Sequence, residues 1–314
     1  MDPVVALVDG PRARGAFVLR SVMDPPWSLR VEDRAPLTVV TMVRGHAHVL
    51  PDSAAPVHLG PGDVVVLQGP DGYTLADDPA TAPQAVIHPG QRCTRVDGTT
   101  LVDIAGLGVR TWGNAADGAT VMVTGTYQRP HEVGRHLLGA LPPVLTLRGE
   151  EWDEPLVALI ARESIHDRPG QEAVLDRLLD LLLVAALRAW FDGPGAQRPG
   201  WYGATADPVV GHALRLLQDG PARPWTVAHL AAATGVSRAT LARRFTELVG
   251  EPPMSFLTTW RLSLAADLLL DPDATLAAVA RQVGYSTPFA LSAAFKRHRG
   301  VSPQEHRTTK APPD

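Results

Sequence analysis

The chain has 314 residues, 45% of them apolar, a formal net charge of -4 and a single cysteine, Cys93. That is enough chain for two globular domains, and it excludes a disulfide-built scaffold and a disordered charged polymer. The richest apolar run, Leu178 to Trp190, contains Asp180 and Arg188 and is too short to span a bilayer. The start, Met1 to Asp9, has no basic cluster ahead of a long apolar core, so a cytoplasmic protein with no membrane partner is expected.

Residues 1–142 carry short apolar runs separated by Gly, Pro and Asp: Leu37 to Val43, His46 to Leu50, Val64 to Leu67, Ala85 to His88, Leu101 to Ile104 and Ala119 to Tyr127. This spacing predicts a β-sandwich or barrel. The sharpest piece runs from His58 to Leu67, where Pro61, Gly62 and Asp63 turn the chain into a buried strand. It resembles the cupin barrel, and more closely the cupin-type sensor domain that precedes AraC-type DNA-binding domains. Pro25, Pro26, Trp27 and Arg30, the turn Val43, Arg44, Gly45, and the exit Leu141, Pro142, Pro143 sit where that family has similar residues.

The cupin resemblance raises the question of metal chemistry. Metal-binding cupins present two His and a Glu on the strand before the Gly turn and another His after the Pro-Gly-Asp strand. Here residues 35–44 hold no His, Cys, Asp or Glu, and Tyr73 stands at the later position. No metal, cofactor or catalytic residue is therefore expected. A cupin metalloenzyme with a DNA-binding appendage stands as one alternative, and a regulator whose barrel only serves assembly as another. His46 and His48, two apart on a strand, share a face. They read as a nonstandard metal site with His88, as part of an effector pocket, or as structural residues. The candidate pocket, built from inward side chains of the barrel, comprises Trp27, His46, His48, Tyr73 and His88. Cys93 reads as an incidental thiol or an oxidation sensor, although no second cysteine is present to resolve a sulfenic acid.

After Pro143 the spacing turns helical, over Glu154 to His166 and Gln171 to Phe191, with Leu175, Leu178, Leu179, Leu182 and Ala186 on one face. Leu181, Leu183 and Leu187 then point outward, where a second chain could cover them, the alternative being that both faces pack within one chain; resemblance to the sensor domains of AraC-type regulators implies a homodimer through such helices. Residues 192–206, opening on a Gly- and Pro-rich run, read as a linker.

The last hundred residues contain a repeat. Thr226 pairs with Thr275, Ala231 with Ala280 and Gly235 with Gly284 at an offset of 49. Leu241 pairs with Leu291, Phe245 with Phe295, Gly250 with Gly300 and Pro253 with Pro303 at an offset of 50, so the second copy has one extra residue in its turn. Each copy predicts a capped helix, a glycine turn and a second helix, capped by Ser237 or by Thr287 with Pro288 at its first position. Met254 to Leu270 predicts a connecting helix of roughly 25 Å, holding two recognition helices near the ~34 Å repeat of the major groove. Ser302 and Glu305 predict a capping box.

Residues 208–307 resemble the DNA-binding domain of the AraC/XylS transcription regulators. Ala280, Val283 to Tyr285, Phe295 to Arg297, Gly300 to Pro303 and Arg307 fall on that family's signature. The resemblance implies an α+β multidomain protein: a cupin-like effector domain over 1–142, a helical dimerisation segment over 143–191, a linker over 192–206 and an all-α double helix-turn-helix domain over 207–314. Double-stranded DNA, a second copy, a small-molecule effector and, for an activator, RNA polymerase are the implied partners. Of the chain's 29 Lys and Arg and 33 Asp and Glu, residues 207–314 hold 12 and 9, leaving 17 and 24 before them, so the basic excess lies where phosphates are to be met. By alignment, Arg238, Ala239, Thr240, Arg243, Phe289 and Ser292 are the base-contacting candidates, and Arg244, Ser255, Thr287, Lys296, Arg297 and Arg299 the phosphate-contacting ones.

Overall fold

The computed structural model describes residues 16–99, 105–108, 110–127, 141–150, 152, 155–165, 168–193 and 200–310. They fall into two compact units, divided between residues 193 and 200.

The first unit is a two-sheet barrel. A seven-stranded sheet has the order β10-β11-β1-β12-β3-β6-β13, using Ala105–Gly108 (β10), Thr111–Gly113 (β11), Ala16–Met23 (β1), Thr120–Tyr127 (β12), Leu37–Arg44 (β3), Val64–Gln68 (β6) and Val144–Leu147 (β13). The facing sheet has the order β5-β4-β7-β2-β8-β9, using Val57–Leu59, Ala47–Pro51, Tyr73–Ala76, Ser28–Val31, Ala85–His88 and Arg92–Arg95. The expected strand over Leu101 to Ile104 lies outside the described residues. Val40, Met42, Val65 and Met122 from one sheet meet Leu29, Val49, Leu75 and Ile87 from the other in a common core. β3 is buried on both faces along most of its length, as a strand is when a second layer covers its back. That layer is two helices, α1 (Leu156–Ser164) and α2 (Gln171–Asp192), packed on each other and against β1, β3 and β13. Gly125 lets α2 approach, because a Cβ there would lie 2.9 Å from the Leu179 methyls.

The Pro-Gly-Asp turn forms as read. Gly62 takes φ +84°, and the Asp63 carboxylate accepts from the backbone N–H of Gly60 (3.0 Å) and Gly149 (2.8 Å) and from Arg148 (2.8 Å). These bonds outweigh burial and hold the Asp63 carboxyl below its usual range.

Of the three leucines expected to face outward on α2, two do not. Leu183 and Leu187 are fully buried within the chain, because the apolar face of α2 is wide enough to pack against both sheet and α1. Leu181 remains outside, 53% exposed, with Val174 one stripe-step earlier.

The second unit is helical. Its elements are α3 (Gly200–Ala204), α4 (Val210–Asp219), α5 (Val227–Thr234), α6 (Arg238–Val249), α7 (Pro253–Leu268), α8 (Leu276–Val283), α9 (Pro288–Arg299) and α10 (Pro303–Lys310). α3 lies in the stretch read as linker and packs on α6, with the Gly200 backbone so near Leu248 and Val249 that a Cβ would meet their carbonyl oxygens at 2.8 Å. Two hydrophobic cores share α7. Phe256, Leu257 and Trp260 join Leu214, Leu230, Leu241 and Phe245, while Leu262, Ala265 and Leu269 join Val279, Val283, Leu291 and Phe295; Leu264 packs against both. A second tie joins the halves. Arg261 donates to the carbonyl oxygens of Pro221 (2.7 Å) and Arg223 (2.9 Å) in the α4–α5 loop. A Cβ on Gly284, in the turn of the second copy, would lie 2.7 Å from Ala222 of that loop.

Candidate nucleic-acid interface

Each recognition helix is set by the residues the repeat singles out. Thr226 accepts from His229 N at 3.1 Å and Thr275 from Ala278 N at 3.2 Å, which starts α5 and α8. Gly235 (φ +71°) and Gly284 (φ +87°) end them in the left-handed conformation that disfavours other residues. Ser237 and Thr287 then cap α6 and α9, each accepting a backbone N–H three residues on at 3.1 Å. α6 begins three residues after its glycine and α9 four residues after, which is where the extra residue of the second copy goes. Ser302 and Glu305 close their capping box reciprocally, at 2.6 and 3.2 Å.

Leu241 and Phe245 in α6, and Leu291 and Phe295 in α9, are fully buried, so the opposite faces are free. On α6 this face presents exposed Arg238, Ala239 and Arg243, with Thr240 and Ala242 half-buried. Thr240 shares a 2.8 Å hydrogen bond with Ser237. Arg243 is held from Nη1 by both carboxylate oxygens of Glu247 at 3.0 Å. On α9 it presents Phe289, 82% exposed, with Pro288 and Ala293 exposed and Ser292 half-buried. Ser255 is exposed in the first turn of α7.

The basic candidates separate into two kinds. Lys296 and Arg297 stand exposed and are not ion-paired among the described residues. Arg244 instead donates to Asp207, whose carboxylate also accepts from Val209 N and Val210 N at 2.9 Å and so starts α4. Arg299 lies half-buried over the Phe295 ring, at 5.5 Å, and donates to Ser263 Oγ at 3.4 Å. The Asp207–Arg244 pair joins residues 37 apart, and nothing in the periodicity signals it.

Residues 2–192 match the family described as Cupin and residues 230–309 the family described as Helix-turn-helix domain. A Streptomyces lividans protein described as an AraC-like transcription regulator is 32% identical over 312 residues, 98% of each chain. A Streptomyces antibioticus protein of the same description is 35% identical over 262 residues, 82% of each chain. The regulator MtrA of Neisseria gonorrhoeae is 27% identical over 312 residues, again 98% of each. The chain belongs to the AraC-type transcription regulators. An AraC-type helix-turn-helix domain binds double-stranded DNA.

The N-terminal domain of this AraC-type regulator does not bring the five pocket candidates together. Trp27 and Tyr73 are buried in the barrel core, where burial pushes the Tyr73 phenol well above its ordinary range. His46, His48 and His88 point the other way. Ala47 and Val49 take the inward positions of β4, as Ala85 and Ile87 do in β8, and strand alternation turns the intervening histidines outward. There His46 stacks on His58 (ring centroids 5.2 Å) and His48 meets it edge-on (4.9 Å). His48 Nδ1 lies 3.1 Å from the Asp77 carbonyl oxygen, and His88 Nε2 lies 2.9 Å from Thr94 Oγ1. Burial, then the neighbouring His48 and His46, lowers the His58 pKa.

Among the described residues no group of three or more His, Cys, Asp or Glu is arranged to hold a metal ion. Cys93 is half-buried against the core and burial pushes its thiol pKa up, the opposite of what a reactive thiolate needs. A cavity lined by Asp33, Tyr73, Trp112 and Thr126 among others holds about 30 Å³. An outer cleft of about 360 Å³ is bordered by Arg30, Glu32, Arg34 and His88. No helix among the described residues is long and apolar enough to cross a membrane.

Proposed function

We propose that this AraC-type regulator reads its operator chiefly through α6 and grips it chiefly through α9. The observation that carries this is the contrast between the two free faces. α6 presents Arg238, Arg243 and Thr240, side chains that hydrogen-bond base edges. α9 presents Phe289, Ala293 and Ser292, of which only Ser292 is polar, followed by exposed Lys296 and Arg297. Arg243 suits guanine O6 and N7, and Phe289 with Ala239 suits thymine methyl groups. Ser255 and Thr287 lie near helix starts and serve as neutral phosphate partners. Replacing Arg243 by Ala should lose roughly 1 to 3 kcal/mol on the cognate site and relax preference at one base pair. Base substitutions in the half facing α9 proving the costlier ones would refute this division.

The domain plan proposed is 1–142, 143–191 and, taking in α3, 200–314, with the protein acting in the cytoplasm as a homodimer, contacting RNA polymerase where it activates, and catalysing no reaction. A drug-sized ligand needs several hundred Å³, more than the cavity beside Asp33 and Tyr73 holds. The outer cleft bordered by Arg30 and His88, about 360 Å³, has that volume, so a small-molecule effector in the N-terminal domain remains the reading, with an assembly-only barrel as the alternative. An effector regulates the protein by binding one arrangement of it better than another.

A further inference from the structure

The first recognition helix carries an acid that its second copy lacks. Glu247 follows Arg243 by one turn, and both of its carboxylate oxygens lie 3.0 Å from Arg243 Nη1. At the repeat's offset of 50 the matching residues of α9 are Ala293 and Arg297. α6 therefore places a negative charge on the face that is to meet phosphates, where it weakens binding. The fold does not call for it. Glu247 is exposed and belongs to neither core, and an exposed pair four residues apart stabilises a helix only slightly.

We infer that Glu247 is a positioning residue that makes Arg243 a selective reader of guanine; this rests on Arg243 being a base-contacting residue. A guanidinium has five N–H donors, and guanine O6 and N7 take two of them. Glu247 thus keeps its hold while Arg243 meets the base. Held from one side, the guanidinium has fewer rotamers left to lose on docking. A phosphate offers it a strong alternative partner, but a phosphate approaching Arg243 also meets the charge of Glu247. The carboxylate weakens binding to DNA in general and weakens it least where guanine is presented. Arg244 is partnered as well, by Asp207, so two of the three arginines of α6 are charge-compensated, whereas Lys296 and Arg297 are left cationic.

The test uses the full chain and a duplex selected from a random library by the unaltered protein. Its affinity is compared with that for duplexes carrying single base-pair changes in the α6 half and for an unrelated duplex. With Glu247→Gln, affinity for the unrelated duplex should rise about three- to tenfold, and preference at the base pair read by Arg243 should fall at least about threefold. Glu247→Ala should act alike. Arg243→Ala should abolish that preference, and adding Glu247→Gln to it should change the preference no further. If Arg243→Ala removes the preference while both Glu247 variants tighten every duplex equally, the positioning role is overturned and only a charge effect remains. If Arg243→Ala leaves every base preference intact, the assignment of Arg243 falls first and this inference falls with it.

Discussion

Asp180 is buried in α2 beneath the sheet, 3% exposed, and replacing it by Asn should stabilise the N-terminal unit at neutral pH. Burial pushes its carboxyl pKa from 3.8 up to about 6; Asp176 nearby adds to this, while Arg177 and the Tyr127 hydroxyl oppose it. Tyr127 Oη donates to Asp180 Oδ1 at 3.4 Å and Arg177 Nη1 to Oδ2 at 3.4 Å. A carboxyl whose pKa is higher in the folded state binds its proton more tightly there. Its contribution is therefore favourable below the unfolded pKa and is lost as pH rises from about 4 through about 6. Above that window, a shift of roughly two units at ~1.4 kcal/mol each corresponds to a cost near 3 kcal/mol. Asn keeps the shape and accepts the Tyr127 hydroxyl without the charge. Asp180→Asn should therefore gain about 1 to 3 kcal/mol at pH 7.5, and the gain should shrink toward zero as pH falls to about 4. Urea unfolding of the N-terminal unit, followed by hydrogen exchange at β1 and β12 across a pH series, measures this. A variant no more stable at pH 7.5, or a gain that does not change with pH, refutes the reasoning.

Lys296→Ala and Arg297→Ala should each weaken binding to all duplexes and lower the salt slope by about one, whereas Arg244→Ala should lower the melting temperature by releasing Asp207 and change the slope less; the reverse assignment from salt titrations would show Arg244 to be the phosphate contact. Gly125→Val should push α2 off the sheet, because the new side chain occupies the space of Leu179, and near-native thermal stability of this variant would exclude that packing. Leu181→Asp should convert a dimer to monomer in sedimentation if the Val174 and Leu181 stripe is the contact between copies, and an unchanged sedimentation coefficient removes α2 from the interface.

Much of this was legible because the determinants are local. Thr226, Ser237, Thr275 and Thr287 cap helices with their own backbones, and Gly235 and Gly284 answer a need of the adjacent turn, so one sequence window holds both cause and effect. The barrel strands read well wherever alternation was clean, as over 85–88. The direction of His46 and His48 was also written in the sequence: Ala47 and Val49 between and beside them are the residues a core accepts, and they take the inner face. The burial of Leu183 and Leu187 is not local in this way. Helical spacing marks a face, but the width of that face depends on what covers it, here two layers meeting along α2. The pairing of Asp207 with Arg244, and of Arg261 with the α4–α5 loop, depends on chain segments dozens of residues away and leaves no periodic trace.

The two ties between the helix-turn-helix copies bear on what the operator is allowed to look like. A regulator whose reading heads are joined by a single flexible tether tolerates extra base pairs between its subsites. Here α7 is shared by both cores and the loop at Ala222 is pressed against the turn at Gly284, so the heads have a fixed pitch. One inserted base pair moves the second subsite by ~3.4 Å and turns it by roughly 35° about the duplex axis. The protein has no joint with which to follow. The duplex itself must twist or bend to restore the match, and the permitted spacers are then set by the stiffness of the DNA between the subsites.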